Sequence, residues 1–466
     1  MMTRRNLLQS TLGLALAGAA QASAQSFFPG VPNLGVRADL GPPRSECGVG
    51  ALMPWADALW AVTYNSHTAS TGTGLGLYRI APDLSMELVH RSDGTHANRF
   101  VHMQSNQLFI GPYAVDAGGK FRVIEALLGK RLTATMAHLT DPANRVYMLT
   151  MEGNFYEMDV ASLQPRLLCN LTEVLQIKQQ PHFKGGFTGQ GRVVVANNTY
   201  SSWNEREGRL AEWDGQAWRT LSRKPHMECA GRDNMGNAVF TTGWDEASAL
   251  FTVLIDGVWR RYRLPKASHT FDQFWQTEWT RIREVETERF LMDCHGMFYE
   301  LSPMIFEKSV WGVRPISTHL RVIPDYCSFR GLLVLGGNET TPNGDVNPLQ
   351  GQPQSGLWFG KTDDLWKFGK PQGWGGPWRF TSVRAGAGSD PFLMTGFEHK
   401  VLHLKADRDA SFRIEVDFLG IGDWELYSDL KVAGYTYHIF PEGFSAHWVR
   451  LVAKTDCTAT AEFLYV

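Results

Sequence analysis

Three segments of one stretch alternate between strand-forming and loop-forming sequence: residues 64–80 read YNSHTASTGTGLGLYRI, residues 91–102 read RSDGTHANRFVH, and residues 108–113 read LFIGPY. Apolar runs of strand length are separated there by two polar connections, which carry His67, His96 and Arg99. If the strands are antiparallel, both connections emerge at the same end of the sheet. Binding and catalytic residues collect on such loops. The stretch therefore predicts an antiparallel β-fold with one functional face.

The same alternation recurs along the chain as units of about 40–50 residues, a length typical of propeller blades. Turn sequences such as Asp214-Gly215 and Asp256-Gly257 separate the strands within the units. We predict an all-β protein, a seven-bladed β-propeller with a small C-terminal β-rich (sandwich-like) extension. A sandwich of the same strands is the structural alternative. The predicted blades cover residues 48–90, 99–128, 134–160, 193–221, 238–264, 281–301 and 320–359.

The composition changes near Gly369, where residues 371–377 read PQGWGGP. This turn-rich stretch predicts a boundary between a propeller catalytic domain, residues 25–372, and a C-terminal β-rich domain, residues 373–466. We expect no catalytic role for the C-terminal domain.

The first 24 residues have the pattern of an export signal rather than of a folded segment. Arg4 and Arg5 form a twin-arginine pair, an apolar run follows at 7–20, and residues 22–24 read ASA, a cleavage-site sequence. The apolar run is too short to span a bilayer. We therefore predict twin-arginine export of a periplasmic or secreted protein that does not reside in a membrane.

Overall composition excludes several classes of protein. The 466 residues carry a net charge of only −2, which argues against nucleic acid as a partner. The six cysteines form no CxxC pair, and twin-arginine export of folded chains disfavours a disulfide framework, so we predict buried free thiols. No G-x-S-x-G is present, which excludes an α/β-hydrolase. We expect a monomer.

Polar residues concentrate in the loops that a propeller would place on one face. Of the 14 histidines, six fall there: His67, His96, His182, His226, His295 and His319. Such a cluster suits a cationic pocket for an acidic sugar, acid–base chemistry near neutral pH, or a metal site. Without an H-E-x-x-H motif or a close histidine pair, we expect no required cofactor. A bound divalent cation is the alternative.

Several segments carry a resemblance to a known group of propellers. They are SHTASTGTGLGLY (66–78), GTHANRFVH (94–102), FIGPY (109–113), PHFKGG (181–186), VANNTY (195–200) and SGLWFGKTDDLW (355–366). The chain resembles, over most of residues 40–370, seven-bladed propellers that act on the L-rhamnose-α-1,4-D-glucuronate linkage. That group contains rhamnosyl-glucuronate lyases and related α-L-rhamnosidases, with propeller ulvan lyases more distant.

The resemblance implies a polysaccharide lyase that acts by β-elimination on an acidic polysaccharide or oligosaccharide containing rhamnose and glucuronate. The base that removes the C5 proton would be His67 or His96, and the acid at O4 would be Tyr113 or Tyr200. Arg99, Arg131 or Lys184 would neutralise the carboxylate, and Trp244 would stack on a sugar. Further expected substrate-binding residues are His182, Asn197, His295 and His319.

Two alternative functions are consistent with the same residues. An α-L-rhamnosidase acting on the same linkage would ordinarily need two carboxylates, for which Glu228, Asp245, Glu278 and Glu339 are available. A non-catalytic glycan-binding propeller would need neither carboxylates nor a base. An unsaturated product distinguishes the lyase from both.

Overall fold

The computed structural model describes residues 34, 37–38, 44–65, 72–178, 180–199, 207–232, 237–268, 280–305, 308–342 and 355–466. The described chain is almost entirely β-structure, as predicted, with short 3-10 helices at Met103–Ser105, Glu125–Leu127 and Thr362–Lys367. A short α-helix, α1 (Leu171–Val174), has its first turn capped by the Asn170 side chain. Among the described residues, no helix is long and apolar enough to cross a membrane.

Seven antiparallel sheets follow one another along the described chain, each starting with its innermost strand. The strands of the first sheet are β2 (Arg44–Trp55), β3 (Ala58–Tyr64), β5 (Gly76–Ile80) and β6 (Met86–Arg91), while β1 (Arg37–Ala38) pairs with β4 (Gly72–Thr73). The second sheet contains β7 (Arg99–His102), β8 (Gln107–Ile110), β9 (Tyr113–Asp116) and β10 (Phe121–Val123). The third contains β11 (Leu132–Ala137), β12 (Arg145–Thr150), β13 (Asn154–Asp159) and β14 (Pro165–Asn170).

The next four sheets repeat this order. The fourth contains β15 (Phe183–Gly189), β16 (Arg192–Asn197), β17 (Arg209–Trp213) and β18 (Trp218–Ser222). The fifth contains β19 (His226–Gly231), β20 (Val239–Trp244), β21 (Ala249–Ile255) and β22 (Val258–Leu264). The sixth contains β23 (Arg281–Glu286), β24 (Arg289–Cys294), β25 (Met297–Leu301) and β26 (Arg314–Thr318). The seventh contains β27 (Tyr326–Phe329), β28 (Leu332–Gly336) and β30 (Leu357–Gly360), while β29 (Asn338–Pro342) pairs with the start of β2.

The first strands of the seven sheets form a closed ring. Contacts run from β2 through β7, β11, β15, β19 and β23 to β27, and β27 contacts β2 again. Buried apolar clusters fill the space between consecutive sheets, for example Leu108 and Val115 against Trp60 and Val62. Middle strands such as β3 and β21 are buried along their whole length because a neighbouring sheet covers each face. The fold is therefore a β-propeller, and the sheet count is consistent with the predicted seven blades.

The C-terminal part is a sandwich of two four-stranded sheets. One sheet contains β31 (Gly373–Val383), β38 (Cys457–Tyr465), β33 (Lys400–Ala406) and β36 (Tyr435–Ile439). The other contains β32 (Phe392–Leu393), β37 (Trp448–Ala453), β34 (Ala410–Asp417) and β35 (Glu425–Val432). Because β32 pairs in parallel with β22, this second sheet continues the fifth blade. The predicted sandwich-like extension is confirmed, and its first strand begins at Gly373.

One predicted strand of the seventh blade is wrong. Residues 320–323 were expected to form its inner strand, yet the strand is β27, and Leu320 is 89% exposed. Pro324 lies between the two segments and cannot donate a backbone hydrogen bond to a sheet. The inner strand therefore starts after the proline, and Asp325 just before it faces the propeller axis.

Candidate functional site

Strand order places two sets of loops on the same end of the propeller, which we call the top face. These are the loops that lead into the first strand of each sheet and the loops between its second and third strands. Five buried side chains from four blades meet on this face: Tyr64, Ala97, Met151, Met227 and Trp244. Residues from distant parts of the chain therefore meet on this face.

A lysine–tyrosine pair connects two non-adjacent blades across the top face. The Nζ of Lys184, in the fourth blade, lies 3.1 Å from the hydroxyl of Tyr64 at the end of β3. The same ammonium lies 5.1 Å from the centre of the Tyr64 ring. Both side chains are buried, where a charge acts over a lower dielectric than in water.

His96 lies in a buried polar cluster between the first and second blades. Its Nε2 lies 3.0 Å from the Ser92 hydroxyl, and its backbone N–H donates to Thr63. Burial lowers the pKa of His96 to about 3. A general base works best with a pKa near the working pH, so the structure does not support His96 as the base.

Tyr113 belongs to the same cluster. Its hydroxyl lies 3.1 Å from Nδ1 of His90, and its side chain is fully buried. Burial raises the pKa of Tyr113 to about 12. The contact with His90 joins the first and second blades, so the structure supports Tyr113 as a residue that fixes this junction.

Arg99 is not available to hold a substrate carboxylate. Its Nε lies 3.1 Å from Oδ2 of Asp325, and Nη2 donates to the carbonyl of Tyr326 at 3.2 Å. The guanidinium therefore bridges the second and seventh blades at the propeller axis. The prediction of a carboxylate clamp at Arg99 is corrected to a structural ion pair.

Further charges surround a cavity of about 230 Å³ that the inner strands enclose, with Lys184 among its lining residues. Glu228 pairs with Arg281 at 3.3 Å and with Arg283 at 3.1 Å, and Arg283 also pairs with Asp325 at 2.7 Å. Burial alone would raise the pKa of Asp325, but the neighbouring guanidinium groups hold it below its usual range. The ionic network thus links four blades along the axis.

His182 and Asn197 lie next to each other in the fourth blade. The Asn197 side chain accepts from the His182 backbone N–H and donates to the carbonyl of Glu207, so its amide is already used to order this loop. His182 Nδ1 lies 2.8 Å from the side-chain oxygen of Asn198. The histidine precedes Lys184 by two residues and reaches the top face, while Asn197 serves the fold.

Trp244 and His295 contact each other edge to face, with ring centres 5.8 Å apart. Trp244 is 1% exposed, so it fills the top-face core and is not the open sugar platform that was predicted. Burial and the nearby charge of Lys266 lower the pKa of His295 well below its usual value. His295 is therefore neutral at physiological pH.

His319 and Arg131 each have a carboxylate partner. Nε2 of His319 lies 2.9 Å from Oδ1 of the buried Asp293, and the imidazole packs on Phe298. Arg131 forms an ion pair with Glu152 and stays partly exposed on the top face. Of the predicted cations for a substrate carboxylate, Arg131 and Lys184 lie toward the top face, whereas Arg99 is paired with the buried Asp325 at the axis.

Two predicted catalytic residues, His67 and Tyr200, lie outside the described residues and stay predictions. Within the part of the chain that the structure describes, no group of three or more His, Cys, Asp or Glu side chains is placed to hold a metal ion. The sequence analysis did not name Tyr64 as a candidate, although the residue opens the stretch 64–80 that carries the first polar connection.

Two of the carboxylates considered for hydrolysis are engaged in ion pairs. Arg263 binds Asp245 through two N–H groups at 3.0 Å each. Burial would raise the pKa of Asp245, but the Arg263 charge brings it to about 2. Asp245 is therefore ionised near neutral pH and cannot serve as the protonated acid. Glu228 belongs to the axial network.

Comparisons with known proteins add little beyond the fold. No family model and no curated protein matches the chain. Among solved structures, the WD40 repeats of RRP9 align with a TM-score of 0.42 and 9% identity over 71% of this chain and 98% of that chain. The WD40 β-propeller domain of Doa1 aligns at 0.41 and 10% identity over 71% of this chain and 99% of that chain. An extracellular domain from B. thetaiotaomicron aligns at 0.40 and 9% identity over 89% of this chain and 56% of that chain. The propeller assignment rests on strand order and ring closure.

Proposed function

We propose that this protein is an exported polysaccharide lyase that cleaves the L-rhamnose-α-1,4-D-glucuronate linkage by β-elimination. The observation that carries the proposal is the pair of Lys184 and Tyr64 on the top face. Elimination requires a positive charge near the uronate carboxylate and a group that removes or supplies a proton. An ammonium in contact with a phenol offers both in one place.

The proposed step uses these groups as follows. A base takes the C5 proton, the C5–H electron pair becomes the C4=C5 double bond, and the C4–O4 bond breaks. An acid then protonates O4, which leaves with the rhamnose. Tyr64 gives its hydroxyl proton to O4 as the C4–O4 bond breaks, and the positive charges of Lys184 and Arg131 neutralise the carboxylate so that C5 becomes acidic. The group that takes the C5 proton is predicted to be His67 or Tyr200.

The ion pairs of the candidate carboxylates favour the lyase over a rhamnosidase. A hydrolase of the usual kind needs one carboxyl group that stays protonated and a second that is ionised. Among the candidates whose side chains the structure describes, Asp245 and Glu228 are both held by arginines. A non-catalytic glycan-binding propeller remains the second candidate, because the Lys184 ammonium and the Tyr64 phenol would also suit the binding of an acidic glycan without cleavage.

The test is a product analysis on gum-arabic-type and ulvan oligosaccharides, following the absorbance of the conjugated uronate. Tyr64→Phe should lower turnover about 10²- to 10⁴-fold, the usual contribution of an acid–base group. Lys184→Met should lower turnover and weaken binding. Matched controls lie in the sandwich: Tyr465→Phe removes a fully buried hydroxyl, and Lys400→Met removes a buried ammonium. Melting curves identify variants that lose activity by unfolding.

Two outcomes would contradict the lyase, and a third would contradict the role of Tyr64. Release of rhamnose without an unsaturated product would indicate the rhamnosidase. Saturable binding without any product would indicate the glycan-binding propeller. Full activity of folded Tyr64→Phe would remove Tyr64 from the catalytic site.

A further inference from the structure

A groove of about 660 Å³ lies between the sixth and seventh blades. Its lining includes Thr287 from the β23–β24 turn, Gly331 from the β27–β28 turn and the 3-10 helix Thr362–Lys367. Turns between first and second strands emerge opposite the top face, so the groove lies on the bottom face. Its volume is within the range of roughly 300–1,000 Å³ that is usual for small-molecule sites.

One wall of the groove is the indole ring of Trp366, which a cation–π contact holds in place. Trp366 is 45% exposed, and the guanidinium of Arg314 lies over its ring, 5.0 Å from the ring centre. Such a contact fixes the orientation of the indole. The remainder of the ring borders the groove and offers a flat apolar surface to a ligand.

Charged side chains of both signs surround this surface. Glu286, Glu300 and Asp363 contribute carboxylates, while Arg289, Lys361 and the Arg314 that stacks on Trp366 contribute cations, so the charges balance. Thr362 donates a hydrogen bond to Glu286 at 2.9 Å, which ties the helix to the β23–β24 turn. An apolar ligand would desolvate these charges without replacing their hydrogen bonds, and an acidic polymer would find no net positive charge to attract it.

We propose that the groove binds a neutral oligosaccharide, with one sugar ring stacked on Trp366. Sugar hydroxyls both donate and accept hydrogen bonds, so they can pair with the carboxylates and with Arg289 and Lys361 alike. Pyranose rings present an apolar C–H face that packs on an indole. The proposal does not depend on the lyase activity, because the groove and the top face lie at opposite ends of the propeller.

Calorimetric titration of the full chain tests the proposal with a neutral rhamnose tetrasaccharide and cellotetraose as probes. A glucuronate-containing tetrasaccharide serves as the charged comparison and is titrated into Lys184→Met, so that the proposed top-face site does not contribute to its binding. We expect at least one neutral probe to bind about tenfold more tightly than the charged one, and Trp366→Ala to weaken that binding by about tenfold or more. Trp311→Ala is the matched control, because Trp311 is 38% exposed and lies outside the groove. It should bind like the unmodified protein.

A second variant keeps the proposal testable if Trp366→Ala does not fold. Glu300 is exposed at the groove wall, so Glu300→Ala should fold normally and weaken neutral-sugar binding about threefold. The proposal is overturned if no neutral probe binds, if the charged probe binds more tightly, or if folded Trp366→Ala or Glu300→Ala binds unchanged. Tyr64→Phe should leave this binding intact, which separates the groove from the proposed lyase site.

Discussion

Arg99 forms a buried ion pair at the propeller axis. The sequence predicts instead that Arg99 binds the substrate carboxylate. Its side chain is 11% exposed, and that of Asp325 is 1% exposed. Removing one partner of such a pair leaves a buried charge with fewer counter-charges. That is more costly than the loss of a surface ion pair.

We therefore expect Arg99→Met to lower the free energy of unfolding by about 3–5 kcal/mol. Arg145→Met is the control, because Arg145 is 45% exposed and pairs with Glu157 at the surface, where a loss of up to about 1 kcal/mol is usual. Urea denaturation measures both. A normal stability combined with a raised KM would restore Arg99 as a substrate-binding residue.

Buried histidines should make the protein sensitive to mild acid. Burial lowers the pKa of His96 to about 3 and that of His226 to about 4. In the unfolded chain both would titrate near 6.5, so the unfolded state binds more protons between about pH 6.5 and pH 4. Stability should therefore fall as the pH falls through that window, by up to about 1.4 kcal/mol per pH unit for each histidine.

The measurement is the free energy of unfolding at pH 7, 6, 5 and 4 for the protein and for His96→Gln. The substitution should reduce the change in unfolding free energy per pH unit by the contribution of one titrating group, up to about 1.4 kcal/mol. An unchanged slope would mean that His96 is protonated in the folded state. Aspartates such as Asp245 lose their stabilising effect only below about pH 4, so their contribution is separable.

At the level of elements, the fifth blade and the sandwich share structure. β22 pairs with β32, and Lys266 and Trp374 exchange backbone hydrogen bonds at 2.8 and 2.9 Å. One buried apolar cluster runs from Phe251 and Met292 in the propeller to Phe392 and Phe463 in the sandwich. Arg263 adds an ion pair to Asp390 at 2.9 Å across the junction.

Because the two parts share a core, we expect one cooperative thermal transition for the chain. A fragment ending at residue 372 should be unstable or aggregate, since it exposes the outer edge of β22 and the apolar cluster beneath the sandwich. Calorimetry of the full chain and solubility of the fragment provide the test. Two separated transitions, or a soluble fragment that melts normally, would show independent domains.

At the scale of the whole molecule, the closed ring of sheets holds the fold together without disulfide bonds. All six cysteines are free, and five of them are buried. The prediction of free thiols is confirmed, and it agrees with the proposed export of an already folded chain.

We therefore expect a thiol reductant to leave the melting temperature unchanged and a thiol reagent to modify the native protein slowly. Labelling in denaturant should reveal six reactive thiols. A melting temperature that falls on reduction would mean that disulfides form in the purified protein, contrary to the structure.

Local patterns in the sequence were sufficient for the architecture. Short apolar runs with turn residues between them predicted the strands, and Asp256-Gly257 forms a tight turn between β21 and β22 with both residues at positive φ, as its composition indicates. These signals are short-range, because each depends on residues that are close in the chain. Where the pattern was weak, as at β27 beyond Pro324, the predicted strand was placed too early.

The candidate site depended on contacts that no local pattern contains. Tyr64 and Lys184 lie 120 positions apart, and Arg99 and Asp325 are brought together only when the last blade meets the first. Whether a histidine or arginine of a loop faces solvent, or is buried beside a charge, follows from closure of the ring. Burial and neighbouring charges set the protonation state and availability of a group, so the sequence determined which residue types reach the top face, and the tertiary structure decided which of them are free to act.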